Sequence, residues 1–308
     1  MPPPKLAITC GDPAGIGPEI VTAWLTAHAQ EAGDVAVIGP ERWLTSLPQG
    51  FLPVPVGLED FTAQAGHPDG DGALVAWAAM ERAARGCMAG EFSGVVTGPV
   101  SKERLHRIGF AFPGQTEFFA ARWSGEPVMA FSGGRLRVAL ATWHVPLHEV
   151  PRSLGPHRLQ RTIAAADELA RVDGIAQPRI GVCGLNPHAG ENGVIGREEI
   201  DFLNPALEKM KTTWPGLSLC QPADTLFARA LRGEFDVVVA LYHDQGLAPL
   251  KAVDFDSAVN VTLGLPHVRT SPDHGTAFGL AGRGQANPQS FANAVTLAQR
   301  LIKFRTKA

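Results

Sequence analysis

Short apolar runs, each closed by glycine, proline or polar residues, alternate along the chain with longer segments of helical period. The runs fall at residues 5–10, 34–38, 94–97, 137–142, 179–183 and 237–241. Uninterrupted apolarity of this length fits strands buried on both faces, the kind that parallel sheets use. Between them the spacing predicts helices from Pro18 to about Ala29, over 72–85 with many alanines, from near Ser101, from Gln115 or Thr116, and over 156–172. The last of these has Leu159, Ile163, Ala166 and Leu169 or Ala170 on its inner face. Further helices are predicted over 198–211, interrupted by Pro205, over 225–231 with Asp224 as N-cap, and over about 288–304. Strand and helix in alternation mean an α/β protein with a parallel sheet.

The chemistry lies where three of these runs end. Residues 237–241 give way to Tyr242-His243-Asp244-Gln245-Gly246, read as a polar turn. Residues 137–142 lead into Trp143-His144-Val145-Pro146, and residues 179–183 into Gly184-Leu185-Asn186-Pro187-His188-Ala189-Gly190-Glu191. A single histidine after a strand is ordinarily a capped or hydrogen-bonded one. Three of them, delivered to the edge of an open parallel sheet where ligands bind, point to a metal with open positions, a catalytic rather than a structural arrangement.

Other polar stretches leave alternatives open. Gly11-Asp12-Pro13-Ala14-Gly15-Ile16-Gly17-Pro18 matches neither common phosphate-loop spacing and reads as a tight strand-to-helix turn. Thr97, Ser101 and Lys102 either contact an anion or cap a helix, and Gln115 and Thr116 either cap the next helix or hold a ligand. Lys251, Asn260 and Arg269, in a region rich in glycine and proline turns, suit an anionic, phosphorylated substrate. The loop from Ser271 to Ala277 and the Ala281-Gly282-Arg283-Gly284 loop are placed to offer backbone amides to a nucleotide; Gly264, Asp273 and Gly275 are the candidate cofactor contacts.

Composition narrows the class. A chain of 308 residues builds one large or two medium α/β domains. The formal charge of −3, with scattered Lys and Arg, gives no footprint for nucleic acid. No apolar run approaches the roughly 20 residues that span a bilayer, and the opening Met1-Pro2-Pro3-Pro4 has no signal-peptide pattern, so the expectation is a cytoplasmic protein without membrane contact. Cys10, Cys87, Cys183 and Cys220 have no Cys-x-x-Cys spacing and read as reduced, packed thiols.

Taken together, the Gly11–Glu19 motif, Thr97-Gly98-Pro99, the Asn186–Glu191 loop, Tyr242-His243-Asp244-Gln245-Gly246 and the Arg269–Ala277 loop resemble the 4-hydroxythreonine-4-phosphate dehydrogenase (PdxA) family, in order and over nearly the whole chain. The resemblance implies two α/β/α domains of the isocitrate/isopropylmalate dehydrogenase-like fold with the active site in the cleft between them. The expected domains are 1–130 with 271–308, and 131–270, the second carrying most of the metal and substrate residues. It implies NAD or NADP as cofactor and one divalent metal per site, zinc, cobalt, magnesium or manganese, held by His144, His188 and His243. One of these histidines would come from the other subunit of a homodimer. Gln115, Thr116, Lys251, Asn260 and Arg269 are the implied substrate residues, with Gln115 standing where the family usually has histidine.

The implied reaction is oxidation of 4-hydroxythreonine 4-phosphate to a β-keto acid that loses carbon dioxide, giving 3-amino-2-oxopropyl phosphate in vitamin B6 biosynthesis. Asp224 and Asp244 are the candidate proton acceptors. Three rivals stand beside it: a dehydrogenase of 4-phosphoerythronate or 4-phosphothreonate, a metal hydrolase or aldolase without nicotinamide, and a non-catalytic phosphate-metabolite binder.

Overall fold

The structure of the protein, a computed structural model, describes residues 5–307. Residues 1–4, where no leader pattern is read, lie outside that range. The strands in chain order are β1 (Lys5–Thr9), β2 (Val35–Gly39), β3 (Leu52–Pro55), β4 (Phe92–Thr97), β5 (Val128–Ser132), β6 (Arg137–Leu140), β7 (Ile180–Cys183), β8 (Leu217–Gln221), β9 (Val237–Ala240), β10 (Val259–Leu263) and β11 (Val268–Pro272). The described residues divide into two compact units, one of residues 5–127 with 265–307, the other Val128–Gly264. Residues 265–270, expected in the second domain, pack with the first, so Arg269 belongs to the first unit.

In the first unit the strands run β3-β2-β1-β4-β11, all parallel, with Leu6 opposite both Val35 and Gly94. All five residues of β2 are buried, as a strand covered on both faces requires. Helix Gly70–Met88 lays Ala73, Ala76, Ala79, Ala83 and Ala84 against β1, β2 and β4, the small side chains allowing close approach. Asp69 caps it, accepting from the Gly72 amide at 2.7 Å. Helix Gln289–Lys307 covers β4 and β11.

The second unit has the order β10-β5-β6-β9-β7-β8; β6, β9, β7 and β8 are mutually parallel, while β5 runs antiparallel to β10 and β6. The β5–β6 turn is held by buried Asp254, whose Oδ2 accepts from the amides of Arg135 and Leu136 at 3.0 Å each.

Several expectations need correction. Tyr242 to Gly246, read as a polar turn, instead open helix His243–Asp254, with Tyr242 as its N-cap. Gly246 and Pro249 lie inside it. A Cβ on Gly246 would stand 2.8 Å from side-chain atoms of Leu140 and Val138 and 3.0 Å from the Ala240 Cβ, so the glycine permits helix and sheet to touch and does not break the chain. Asn260 and Arg269, placed among turns, lie in β10 and β11. Strands β3, β5, β8, β10 and β11 were not anticipated: β3 carries two prolines, which suit an edge, and the others sit beside glycine- and proline-rich turns that masked them. Pro222, not Asp224, is the N-cap of helix Ala223–Leu231. Pro205 falls in the first turn of helix Asn204–Met210, after a separate π-turn at Glu199–Leu203.

Candidate active site

Because β6, β9 and β7 are parallel and in register, with Leu140 opposite Ala240 and Val182 opposite Val239, their carboxyl ends finish at one edge of the second unit. That edge is stitched together. Thr142 Oγ1 donates to the Leu241 carbonyl at 2.7 Å, joining the chain after β6 to the chain after β9. Gln245 Oε1 accepts from the Leu241 amide at 2.7 Å while its Nε2 donates to the Gly184 carbonyl at 2.7 Å, tying the end of β9 to that of β7. Gln245 lies within a motif quoted from the sequence, yet only the fold gives it this role.

The imidazoles of His144 and His243 stand with ring centroids 5.7 Å apart and planes tilted by 36°. Among the described residues no three His, Cys, Asp or Glu side chains are grouped closely enough to hold a metal ion. Two of the histidines nevertheless share one orientation device: Asp244 Oδ1 lies 2.7 Å from His243 Nδ1, and Glu191 Oε2 lies 3.1 Å from His188 Nδ1. A carboxylate on Nδ1 fixes the proton there and leaves Nε2 as the donor atom, the usual arrangement behind a metal-bound histidine. This donor chemistry fits a divalent cation.

His188 is carried by unusual backbone. His188, Ala189, Gly190, Glu191 and Asn192 have φ of 53°, 53°, 82°, 42° and 53°, a complete left-handed turn in which four of the residues carry a Cβ. Left-handed helical backbone costs about 1–2 kcal/mol per such residue, so the surroundings must impose it. His144, with φ of 49°, is also in this region.

The remaining second-unit candidates spread over its elements. Asp224 is exposed in the first turn of the helix that follows β8, and Lys251 lies in the third turn of helix His243–Asp254. Asn260, in β10, pairs with Phe131 of β5. Gly264, with φ of 73°, is exposed after β10.

In the first unit a second polar group assembles. Arg269 is only 3% exposed, and its Nε and Nη2 donate to Thr97 Oγ1 at 3.2 and 2.9 Å. Burial lowers its pKa to about 10, against the opposing charge of Glu117, so the guanidinium remains charged at neutral pH. Gln115 begins helix Gln115–Trp123 after the N-cap Gly114 and donates through Nε2 to the Gly98 carbonyl at 3.2 Å; its Oε1 is buried with no hydrogen-bond partner. Thr116 beside it is buried. Phe118, Phe119 and Trp123 of that helix pack ring against ring, and Phe118 also meets Phe110 and Phe112 before the helix, which anchors it. Ser101 proves to be a cap, accepting from the Arg104 amide at 3.3 Å.

The Gly11–Pro18 segment is a tight turn, as its spacing suggested. Gly11 has φ of 70°, and a Cβ there would stand 2.4 Å from the Pro99 carbonyl oxygen. Asp12 is 1% exposed, and burial raises its pKa above the usual carboxylate value. The Ile16 amide donates to the Thr276 carbonyl at 2.9 Å, which fastens this turn to the 273–277 loop bearing the cofactor candidates Asp273 and Gly275. The Asp273 amide in turn donates to Ser290 Oγ at 3.2 Å.

Comparison with known proteins decides the family. Residues 21–298 match the family model of the pyridoxal phosphate biosynthetic protein PdxA. The chain belongs to the PdxA family. It is 44% identical over 319 residues to the 4-hydroxythreonine-4-phosphate dehydrogenase of Aromatoleum aromaticum, covering 97% of each chain. Its structure resembles that of the 4-hydroxythreonine-4-phosphate dehydrogenase from Klebsiella pneumoniae with a TM-score of 0.82 and 34% identity, over 97% of this chain and 99% of the other. The isocitrate dehydrogenase of Methylococcus capsulatus aligns with a TM-score of 0.52 at 16% identity over 98% of this chain and 89% of that one, which establishes the shared α/β fold and nothing more. The fold class expected from the sequence is therefore the one found.

Proposed function

We propose that this PdxA-family protein oxidises 4-hydroxythreonine 4-phosphate at its 3-hydroxyl, passing hydride to NAD or NADP and the hydroxyl proton to a base. The β-keto acid so formed loses carbon dioxide to give 3-amino-2-oxopropyl phosphate, a step of pyridoxal phosphate biosynthesis. The observation that carries this reading is the full-length match to relatives of that name. The histidine-bearing strand ends of the second unit support it.

His144, His188 and His243 would hold the divalent metal, zinc, cobalt, magnesium or manganese, and Gly264, Asp273 and Gly275 would contact the nicotinamide cofactor. When bound, the metal supplies a Lewis acid that lowers the pKa of the substrate hydroxyl, and the nicotinamide supplies the hydride acceptor. The protein's own groups do the rest. Arg269, charged and buried, and Lys251 supply cations for the substrate's anionic groups, with Asn260, Thr116 and Gln115 adding neutral hydrogen bonds. Asp224 and Asp244 are the candidate bases for the hydroxyl proton, and Asp244 also orients His243.

The active species in this reading is a homodimer with shared sites. Two features support it: one chain brings His144 and His243 together but, among the described residues, no group of three that could hold a metal, and exposed apolar side chains flank the histidine loops, Val145 and Leu147 beside His144 and Val194, Ile195 and Ile200 beside His188. No described helix is long and apolar enough to cross a membrane. The test is formation of reduced nicotinamide from 4-hydroxythreonine 4-phosphate by the metal-loaded protein. Robust reduction with 4-phosphoerythronate or 4-phosphothreonate, and none with 4-hydroxythreonine 4-phosphate, would overturn the substrate assignment. Turnover without nicotinamide would overturn the reaction class.

A further inference from the structure

The left-handed turn at 188–192 has little apolar packing to impose it: Pro187, His188, Glu191 and Asn192 are exposed, and Val194 is 83% exposed. Backbone hydrogen bonds tie it to its flanks, from the Ala189 amide to the Asn186 carbonyl at 3.0 Å, and from Val194 to Glu191 and Ile195 to Gly190 at 3.2 Å each. What it closes over is a buried carboxylate. Glu199 is 1% exposed, and its Oε1 accepts from the amides of Leu185 and Asn186 at 2.8 Å each while its Oε2 accepts from Asn186 Nδ2 at 2.9 Å. Asn186 Nδ2 also donates to Glu198 Oε2 at 2.7 Å.

The fit around this carboxylate is close on every side. A Cβ on Gly190 would lie 2.7 Å from Glu199 Oε2 and 2.8 Å from the Gly196 carbonyl oxygen; one on Gly184 would lie 2.7 Å from the Ala189 Cα; one on Gly196 would lie 2.3 Å from the Asn186 side chain. Glu199 itself opens the π-turn Glu199–Leu203, an irregularity that concentrates at functional sites. We propose that Glu199 is a positioning residue: its buried carboxylate, through Asn186 and the amides of 185 and 186, holds the left-handed turn and so fixes the His188 imidazole two residues beyond Asn186. The proposal rests on the reading of His188 as a metal ligand.

The physical reason is the acceptor count. A buried carboxylate needs several donors to offset its lost hydration, and here its three donors belong to the two residues just before Pro187 and His188. In Glu199→Gln, one oxygen remains for the two amides, but the new NH2 group faces Asn186 Nδ2, donor against donor. Glu199→Ala removes the acceptors altogether.

The test uses the full-length protein stripped of metal and titrated with Co2+, together with amide hydrogen exchange. In Glu199→Gln, exchange at residues 185–196 should accelerate while the rest of the second unit is unchanged, and the Kd for Co2+ should rise about 10–100-fold, the range for loss of an outer-shell partner. In a His188→Ala background the same substitution should leave the Kd where His188→Ala alone put it. Unaltered exchange at 185–196 overturns the proposal, and so does a further loss of Co2+ affinity in the His188→Ala background. If His188→Ala alone leaves Co2+ binding unchanged, the ligand reading of His188 fails; accelerated exchange in Glu199→Gln then still upholds the clamp on the turn. Should Glu199→Ala fail to fold by circular dichroism, the Glu199→Gln measurements decide alone.

Discussion

Gln115 illustrates how one side chain can stand in for another at the scale of a residue. Its Nε2 donates to the Gly98 carbonyl, a bond that an imidazole N–H can also make, and its buried Oε1 keeps an acceptor in reserve. What the amide lacks is a charge that titrates near neutral pH. Buried Arg269 already brings a permanent cation to the first unit, so the amide should serve for orientation alone. Gln115→His is therefore expected to leave kcat unchanged and KM for 4-hydroxythreonine 4-phosphate within about threefold of the parent, while adding one ionisation to the pH profile. Steady-state kinetics across pH check this. A KM that falls more than about tenfold below neutral pH, the scale of one charge-assisted hydrogen bond, would show that the position normally supplies charge.

Elements pack closely here because small residues sit where helix meets sheet. On helix His243–Asp254 the contact is at Gly246, within 2.8–3.0 Å of where a Cβ would meet Leu140, Val138 and Ala240. Helix propensity favours alanine over glycine by about 1 kcal/mol, whereas forcing a methyl into a filled core costs about 1–3 kcal/mol. Overpacking should win, and Gly246→Ala should lower the denaturation midpoint and move the His243 end of the helix, with metal affinity falling alongside stability. A variant more stable than the parent in urea denaturation would refute this. Helices Gly70–Met88 and Gln115–Trp123 are joined differently, by Arg122 forked onto Glu81, with its Nε 3.0 Å from Glu81 Oε2, and stacked over Phe112 and Phe118. The Arg122 hydrogen bonds hold the Glu81 carboxyl below its ordinary pKa. A depressed carboxylate pKa stabilises the fold above the unfolded value and ceases to do so as pH falls through the folded one. Glu81→Gln should thus lower Tm at neutral pH, by an amount equivalent to about 1 kcal/mol given the partial exposure of the pair, and have a smaller effect in acid. An equal or larger deficit in acid would contradict the linkage.

For the whole molecule, His144 and His243 lie together in one chain, while among the described residues no group of three His, Cys, Asp or Glu side chains could hold a metal. If a homodimer completes the ligand set, each site combines His144 and His243 of one subunit with His188 of the other. His144→Ala mixed with His188→Ala, after subunit exchange, should then form hybrid dimers with one intact site and recover part of the activity. His144→Ala mixed with His243→Ala should stay inactive, because both substitutions fall in the same half of every site. Activity assays on the exchanged mixtures distinguish these outcomes, and recovery in the second mixture but not the first would reassign the shared histidine. The four buried cysteines take no part in this scheme; burial pushes the thiols of Cys10, Cys87 and Cys220 up to about 12, leaving them protonated and unreactive.

Sequence alone determined the alternation of strand and helix, because a strand covered on both faces must be apolar throughout, and that pattern is local. It also marked the histidine-bearing strand ends, since motifs at the carboxyl ends of parallel strands keep their residues adjacent in the chain. It did not expose β10 and β11, whose short runs lie among glycine and proline, nor the helix from His243, whose Gly246 reads as a turn residue until the sheet packed against it explains the glycine. Only the tertiary structure decided which histidines meet, that Gln245 ties β9 to β7, and that Glu199 sits beneath the His188 turn. Those facts depend on pairings between residues as much as 99 positions apart, such as Thr142 with Leu241. No local periodicity encodes such contacts; they exist only once the strands have been laid side by side.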